Sequence, residues 1–275
     1  MEIDKLMKVK KYFSPALLLV IFLMTGCGSY HIKPNITAQE RFELAKLMFS
    51  KRDYFEAKNQ FKILVLNNPG LPFIDEAQYY LAESHFHMKE YILAADEYNR
   101  LIRLYPKSDW VDDASFKIGM CDYKLSPKPS LDPKYTIQAV QHFQTFIEDF
   151  PNSDLIPEAE RLLKKCRSKL AEKDYKTGVL YRKLGDYHAA IVYFDSVLEN
   201  YYDSKYADDA QYWKAECLFK SQKKQESLQA FLEFISKYPK NPYSSKSISR
   251  IKKLEEDLAK IKNANGVSSN TKVNE

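Results

Sequence analysis

The chain has 275 residues, 45% hydrophobic and 29% charged, which is the composition of a folded protein with one large or two ordinary domains. Glycine is scarce, at 7 residues, which argues against loop-rich all-β folds and against glycine-built nucleotide sites. The formal charge of +5 is spread among mixed charges and forms no basic stripe, so the sequence argues against nucleic acid as a partner.

The first 26 residues have the pattern of a secretory signal. Three lysines within residues 8–11 precede the apolar run 16–24, which is too short to span a bilayer, since a spanning helix needs about 20 residues. Translation can begin at Met1 or at Met7, and the segment from Met7 is the cleaner signal because it omits two acidic residues.

The signal ends in Leu-Met-Thr-Gly-Cys, residues 23–27, which resembles the lipobox of bacterial lipoproteins. The resemblance implies that residues 1–26 are removed and that Cys27 is acylated, which fixes the protein to a membrane. No Asp and no acidic run follows Cys27 directly, and this favours the periplasmic face of the outer membrane. Residues 27–36 carry no periodicity and are interpreted as a lipidated tether.

The body of the chain repeats a helical pattern five times, which is the first feature to seek in such a sequence. A small residue is followed four positions later by an aromatic residue and twelve positions later by Pro, or by Tyr202 in the fourth repeat. The small residues are Ala57, Ala94, Ala139, Ala190 and Ser227, and the aromatic residues are Phe61, Tyr98, Phe143, Phe194 and Phe231. Residues four apart share one helix face, and Pro ends a helix.

A second helix precedes each of these segments. It carries a small residue, namely Ala45, Ala82, Gly119, Gly178 or Ala215, with an aromatic residue three positions earlier: Phe42, Tyr79, Phe116, Tyr175 or Tyr212. Four units have another aromatic residue four positions after the small one, whereas the fourth unit has Arg182 there. We interpret these five aromatic residues as a stripe of core packing, because rings opposite a small residue usually fill the interface between two helices.

The helix pairs resemble tetratricopeptide repeats, so we expect an all-α fold: an α-solenoid of about five tetratricopeptide-like helix pairs over residues 37–262, with a C-terminal capping helix over 243–261. The Pro-rich segment 125–135 predicts an ordered surface loop inside the third unit, and 154–173 predicts additional helix before the fourth. Residues 263–275 are polar and are predicted to be disordered.

Two stretches, 123–132 and 170–204, together with the lipobox and the repeats, resemble the BamD-like (ComL-type) lipoproteins of outer-membrane protein assembly. The resemblance implies a lipid-anchored scaffold subunit of the machine that inserts β-barrel proteins. It implies that residues 154–240 dock on the barrel subunit BamA and that residues 38–106 receive unfolded barrel substrates. Other assembly lipoproteins are further implied partners, and an alternative is a different periplasmic repeat lipoprotein that coordinates cell-envelope or pilus assembly.

An aromatic-lined groove would suit an extended client segment. The candidate partner-binding residues flank the core stripe without belonging to it: Tyr80, Glu83, His87 and Trp213.

The sequence contains no motif of an enzyme, so we predict no catalysis, no cofactor and no metal. His85 and His87 lie two apart on a helix and therefore make a poor metal pair. Cys121, Cys166 and Cys217 are interpreted as buried thiols, with one Cys–Cys pair as the open alternative in an oxidising compartment. A hydrolase site on the repeats is a third hypothesis that no residue pattern supports.

Overall fold

The computed structural model describes the backbone of residues 36–270 and the side chains of residues 36–262. This part of the chain contains eleven helices and no strand. In chain order the helices are α1 Ala38–Ser50, α2 Tyr54–Asn67, α3 Ile74–His87, α4 Tyr91–Leu104, α5 Val111–Leu125, α6 Lys134–Asp149, α7 Ile156–Leu184, α8 Tyr187–Asn200, α9 Ala207–Lys220, α10 Lys224–Lys237 and α11 Ser244–Asn270. Signal peptide 1–26, Cys27 and the tether up to residue 35 lie outside the described residues, as do residues 271–275.

The expected all-α solenoid of five helix pairs and a closing helix is confirmed. Consecutive helices pack on one another along the chain, and contacts between helices two apart are few. Such a nearest-neighbour arrangement is the architecture of stacked repeats, in which the units jointly bury a core that one pair could not bury alone.

The helix ends follow the sequence signals. Helices α2, α4, α6 and α10 each stop two residues before a Pro, and α8 stops two residues before Tyr202. At the start of α1, Thr37 and Glu40 form a reciprocal capping box: the Thr37 hydroxyl accepts from the Glu40 N–H, and the Glu40 carboxylate accepts from the Thr37 N–H at 2.7 Å.

The small and aromatic residues of the repeat meet across helix interfaces. A β-carbon added to Gly178 would lie 2.8 Å from Cε1 of Phe194, a fully buried ring. In the last unit the hydroxyl of the buried Ser227 donates to the Ala215 carbonyl oxygen at 3.0 Å. Phe42, Tyr79, Phe116 and Tyr212 of the predicted core stripe are buried, and Tyr175 is partly buried.

The loop inside the third unit spans residues 126–133 and is held to α7. The ammonium of Lys169 donates to the Ser126 hydroxyl at 2.8 Å, and that of Lys173 donates to the Leu131 carbonyl oxygen at 2.9 Å. The Ser126 hydroxyl also lies 2.6 Å from that of Thr136 at the start of α6. The segment is therefore an ordered loop, as its prolines predicted.

Two elements extend further than the sequence indicated. The additional helix predicted over 154–173 and the first helix of the fourth unit form one continuous helix, α7, of 29 residues. No Gly or Pro stands between Pro157 and Gly178 to interrupt it. Helix α11 runs beyond the predicted capping helix 243–261 and takes in the first eight residues of the predicted tail.

Candidate functional site

Four rings from the first three helices form one surface, which we call the N-terminal aromatic cluster: Phe49 of α1, Tyr54 of α2, and Tyr80 and His87 of α3. The His87 ring stacks on Tyr54 with centroids 4.6 Å apart and planes 7° apart. The Phe49 ring packs edge-on against Tyr54 at 5.2 Å and against Tyr80 at 5.1 Å. None of the four is fully buried, so the cluster leaves aromatic surface accessible.

A lysine is fixed beside this cluster. The Lys46 ammonium lies 2.8 Å from Oε1 of Glu76 and 5.5 Å from the centroid of the Tyr80 ring. The hydrogen bond to Glu76 raises the pKa of Lys46 above its usual value. The Tyr80 ring also stacks on Phe61 of the core at 5.5 Å, so it joins the exposed cluster to the packed interior.

Glu83 lies inside the helix packing and not on the groove surface. It is only 6% exposed, and its carboxylate accepts a hydrogen bond from the Tyr98 hydroxyl. The Lys117 ammonium lies 2.6 Å from Oε1, and Nε2 of His87 lies 3.5 Å from Oε2. Burial, followed by the charge of Glu83, raises the pKa of Tyr98. The residue thus positions Lys117 and His87, and its own carboxylate has little room for a partner.

Trp213 belongs to a different part of the molecule. Its ring packs against Tyr212 at 5.0 Å and against Tyr243 at 5.8 Å, and the guanidinium carbon of Arg182 lies 3.9 Å from its centroid. Trp213 packs among the core groups of α7–α11, whereas Tyr80 packs with that of α1–α3. The structure therefore brings together Tyr80, Glu83 and His87 and leaves Trp213 in a separate site.

Phe49, Tyr54 and Lys117 were not among the sequence candidates. Phe49 was visible only as one aromatic position of the repeat, and Tyr54 as the first residue of a second helix. Lys117 reaches Glu83 from α5, which no local spacing on α3 reveals. Arg182 had a signal, because it interrupts an aromatic position that the other units keep.

A groove of about 700 Å³ lies between α8 and α10 with α9 as its floor. Apolar Val192 and Leu218 line it beside an ion pair in which the Lys214 ammonium lies 2.6 Å from Oδ1 of Asp195. It is an open, mixed surface, of the kind that accommodates a segment of protein.

Residues 36–262 hold no group of three metal-ligating side chains, and no helix among the described residues has both the length and the apolarity to cross a membrane. Cys121, Cys166 and Cys217 are buried free thiols. Burial raises the pKa of Cys121 to about 12 and that of Cys166 and Cys217 to about 11, so the three are unreactive near neutral pH.

A family model described as an outer membrane lipoprotein, YfiO, matches residues 34–219 of the chain, and a tetratricopeptide repeat model matches residues 209–241. No curated protein matches the chain.

Several solved structures of repeat proteins are similar. The tetratricopeptide domain of P58(IPK) is 18% identical with a TM-score of 0.40, and the alignment covers 81% of this chain but only 56% of that one. The TPR2AB domain of yeast Sti1, solved with pHSP90, is 14% identical with a TM-score of 0.39 and coverages of 84% and 96%. PilW, a type IV pilus biogenesis factor, is 12% identical with a TM-score of 0.36 and coverages of 80% and 99%.

Proposed function

The chain belongs to the YfiO family of outer membrane lipoproteins, and from that premise we propose that it is a lipid-anchored scaffold subunit of the machine that inserts β-barrel proteins into the outer membrane. It binds a BamA-like barrel subunit and unfolded barrel substrates, and it catalyses no reaction. The N-terminal aromatic cluster is the observation that carries this proposal, because it offers a partly exposed aromatic surface on a rigid set of helices.

The anchor is the acylated Cys27, which holds the body on the periplasmic face of the outer membrane. The acyl chains of such an anchor bury many CH₂ groups at about 0.8 kcal/mol each, so the attachment is firm. About ten residues of tether separate Cys27 from the start of α1 at Ala38. At no more than ~3.5 Å per residue, the start of α1 stays within roughly 35 Å of the membrane surface.

The N-terminal units receive the substrate. A segment destined to become a β-strand of a barrel is amphipathic and carries aromatic residues on one face. Such a face suits Phe49, Tyr54 and Tyr80, whose edge-on and stacked contacts already show the geometry that aromatic pairs prefer. His87 and the ammonium of Lys46 supply polar contacts at the rim of this surface.

The C-terminal units, 154–240, dock the barrel subunit. The groove over α9 and the Trp213 site both lie in this half, and both combine apolar walls with charged side chains, as interfaces between protein subunits do. Binding at opposite ends of one solenoid allows substrate and barrel subunit to be held together.

Affinity purification of the tagged, membrane-bound protein in mild detergent, followed by mass spectrometry, tests this function. We expect a large β-barrel subunit with periplasmic domains in good yield. Recovery of cell-wall or pilus components without any barrel subunit would overturn the proposal and favour the envelope-assembly alternative.

Photo-crosslinking tests whether unfolded substrate contacts the N-terminal aromatic cluster. A photoreactive amino acid at position 87 should capture unfolded barrel substrate, whereas the same amino acid at position 202 should not, although Tyr202 is 65% exposed. Equal capture at both positions would mean that substrate contacts the solenoid without using the N-terminal aromatic cluster.

A further inference from the structure

Arg182, in the last turn of α7, is a partly buried cation that has no anionic partner among the described side chains. Its guanidinium lies over Trp213, with the guanidinium carbon 3.9 Å from the ring centroid. Its Nε is buried and has no hydrogen-bond partner among the described residues. By contrast, Arg250 of α11 also covers a ring, that of Phe219, but its Nε and Nη2 donate to Glu216 at 3.1 and 3.0 Å. A buried donor left without an acceptor is costly, so an acceptor is expected.

The guanidinium borders a small cavity of about 100 Å³. Its walls are Arg182, Tyr187, Trp213, Glu216, Cys217 and Lys220. Arg182 and Lys220 are positive, and the one acidic residue of the wall, Glu216, already binds Arg250. The cavity therefore has an excess of positive charge, and its volume is that of about three water molecules at ~30 Å³ each. It has room for a single small anionic group.

We propose that this cavity binds one carboxylate side chain, Asp or Glu, of a protein partner. Stacking on Trp213 fixes the plane of the guanidinium, so its N–H edge is oriented in advance for a carboxylate, which accepts two parallel hydrogen bonds. The Trp213 and Tyr187 rings limit the access of water, which strengthens the charge-assisted bonds. Lys220, which also lines the cavity, is a second cationic donor.

The walls favour a monoanion on a polypeptide over a phosphate group. Glu216 would repel a dianion more strongly than a single carboxylate, and the cavity is too small for a bulky headgroup. That the partner is the barrel subunit rests on the proposed function. That the site binds a carboxylate does not rest on it.

The test uses the purified full chain in detergent micelles with Trp110→Phe, which leaves Trp213 as the only tryptophan because the chain has two. At constant ionic strength it is titrated with three tripeptides. Ala-Glu-Ala and Ala-Gln-Ala are blocked at both ends, and Ala-Ala-Ala has a free C-terminus. We expect a saturable change of Trp213 emission with the Glu peptide and a response at least about tenfold weaker with the other two.

Variants of Arg182 test whether the fluorescence response depends on its guanidinium. Arg182→Gln should abolish the response, and Arg182→Lys should weaken it about tenfold, since an ammonium keeps the charge but loses the planar pair of donors. The matched control is Arg167→Gln, because Arg167 also lies near a ring, that of Tyr201, yet already pairs with Asp203 at 3.2 Å. Circular dichroism checks that each variant is folded.

No saturable response to the Glu peptide, or the same response in Arg182→Gln, would overturn the proposal. A response to the free C-terminus alone would overturn it as well, because the site would then take chain ends and not side chains. None of these three results depends on whether the barrel subunit is the partner, so failure here is distinguishable from failure of the proposed function.

Discussion

A β-carbon placed on Gly119 would lie 2.8 Å from Cε1 of Phe143. The two residues stand on facing helices of the third unit, α5 and α6, and both are buried. The glycine is thus the space into which the ring fits, and the same relation recurs between Gly178 and Phe194.

Gly119→Ala should destabilise the protein by about 1–3 kcal/mol, because the fully buried Phe143 must move to admit the methyl group. This is opposite in sign to the gain of about 0.5–1 kcal/mol that alanine normally brings to a helix. Gly178→Ala should behave alike. Gly70 has no atom within 4 Å of an added β-carbon, so Gly70→Ala is the control and should cause no loss. Urea unfolding of the three variants measures the differences, and a stabilised Gly119→Ala would show that the interface is loose.

The turn between the two helices of a unit uses a left-handed residue in four units: Arg52, Lys89 and Gln222 with φ of 62–65°, and Gly185 with φ of 83°. Side chains other than Gly pay about 1–2 kcal/mol for this conformation. Gln222→Gly should therefore stabilise the fold by about 0.5 kcal/mol after the extra chain entropy of glycine is subtracted. Gly185→Ala should destabilise it by about 1 kcal/mol. Thermal melts of the two variants test both signs. Melting temperatures that shift in the same direction would contradict the expectation.

Glu83→Ala should destabilise the fold by about 2–4 kcal/mol, because it leaves the Tyr98 hydroxyl and the Lys117 ammonium without their acceptor. Glu158, whose carboxylate pairs with Arg161 on the surface, provides the control: Glu158→Ala should leave the urea midpoint unchanged. Weaker substrate crosslinking from position 87 with an unchanged midpoint would instead assign Glu83 a direct contact with substrate.

The free energy of unfolding should fall as the pH rises from 9 toward 11. Burial raises the pKa of Cys121 to about 12 and that of Cys166 and Cys217 to about 11, whereas the unfolded thiols ionise near 9.0. In this window the unfolded chain releases protons that the folded chain keeps, so alkali favours unfolding. Urea titrations at pH 7, 9 and 10 should show a smaller decline in a variant with these three cysteines changed to alanine. Identical declines would assign the effect to tyrosines.

The number of reactive thiols reports whether Cys27 is lipidated. The chain has four cysteines, so the denatured protein isolated from membranes should give three reactive thiols if the Cys27 sulfur is acylated. Cys27→Ser should also give three thiols and should appear as a soluble or an uncleaved form, and its labelling by a fatty acid should disappear. Four thiols in the wild-type protein would contradict the anchor, and one would mean that two of the buried cysteines pair.

Most of the fold could be predicted because the repeat encodes its own packing. The four-residue step from Ala94 to Tyr98 places both residues on one helix face, and both are fully buried in the structure. The Pro two residues beyond α4 ends that helix by removing a donor. These are local signals, and local signals survive in a fold built from nearest-neighbour contacts.

The sites were less predictable because their contacts cross between helices. His87 follows Glu83 by four residues, so their proximity was readable on α3, but Tyr98 and Lys117 reach Glu83 from α4 and α5. Their approach turns a candidate surface carboxylate into an interior one. Trp213 was found through its position in the repeat, whereas its partner Arg182 was visible only as an exception to the aromatic pattern.

Helix α7 has consequences for how the chain tolerates changes of length. It is about 43 Å long and carries the last residues of the third unit's core at one end and the first residues of the fourth unit's core at the other. One residue inserted within it would turn everything downstream by about 100° and shift it by about 1.5 Å. The neighbouring loop 126–133 transmits no such rotation. Insertions and deletions accumulated during evolution should therefore collect in that loop, while the number of residues in α7 stays constant.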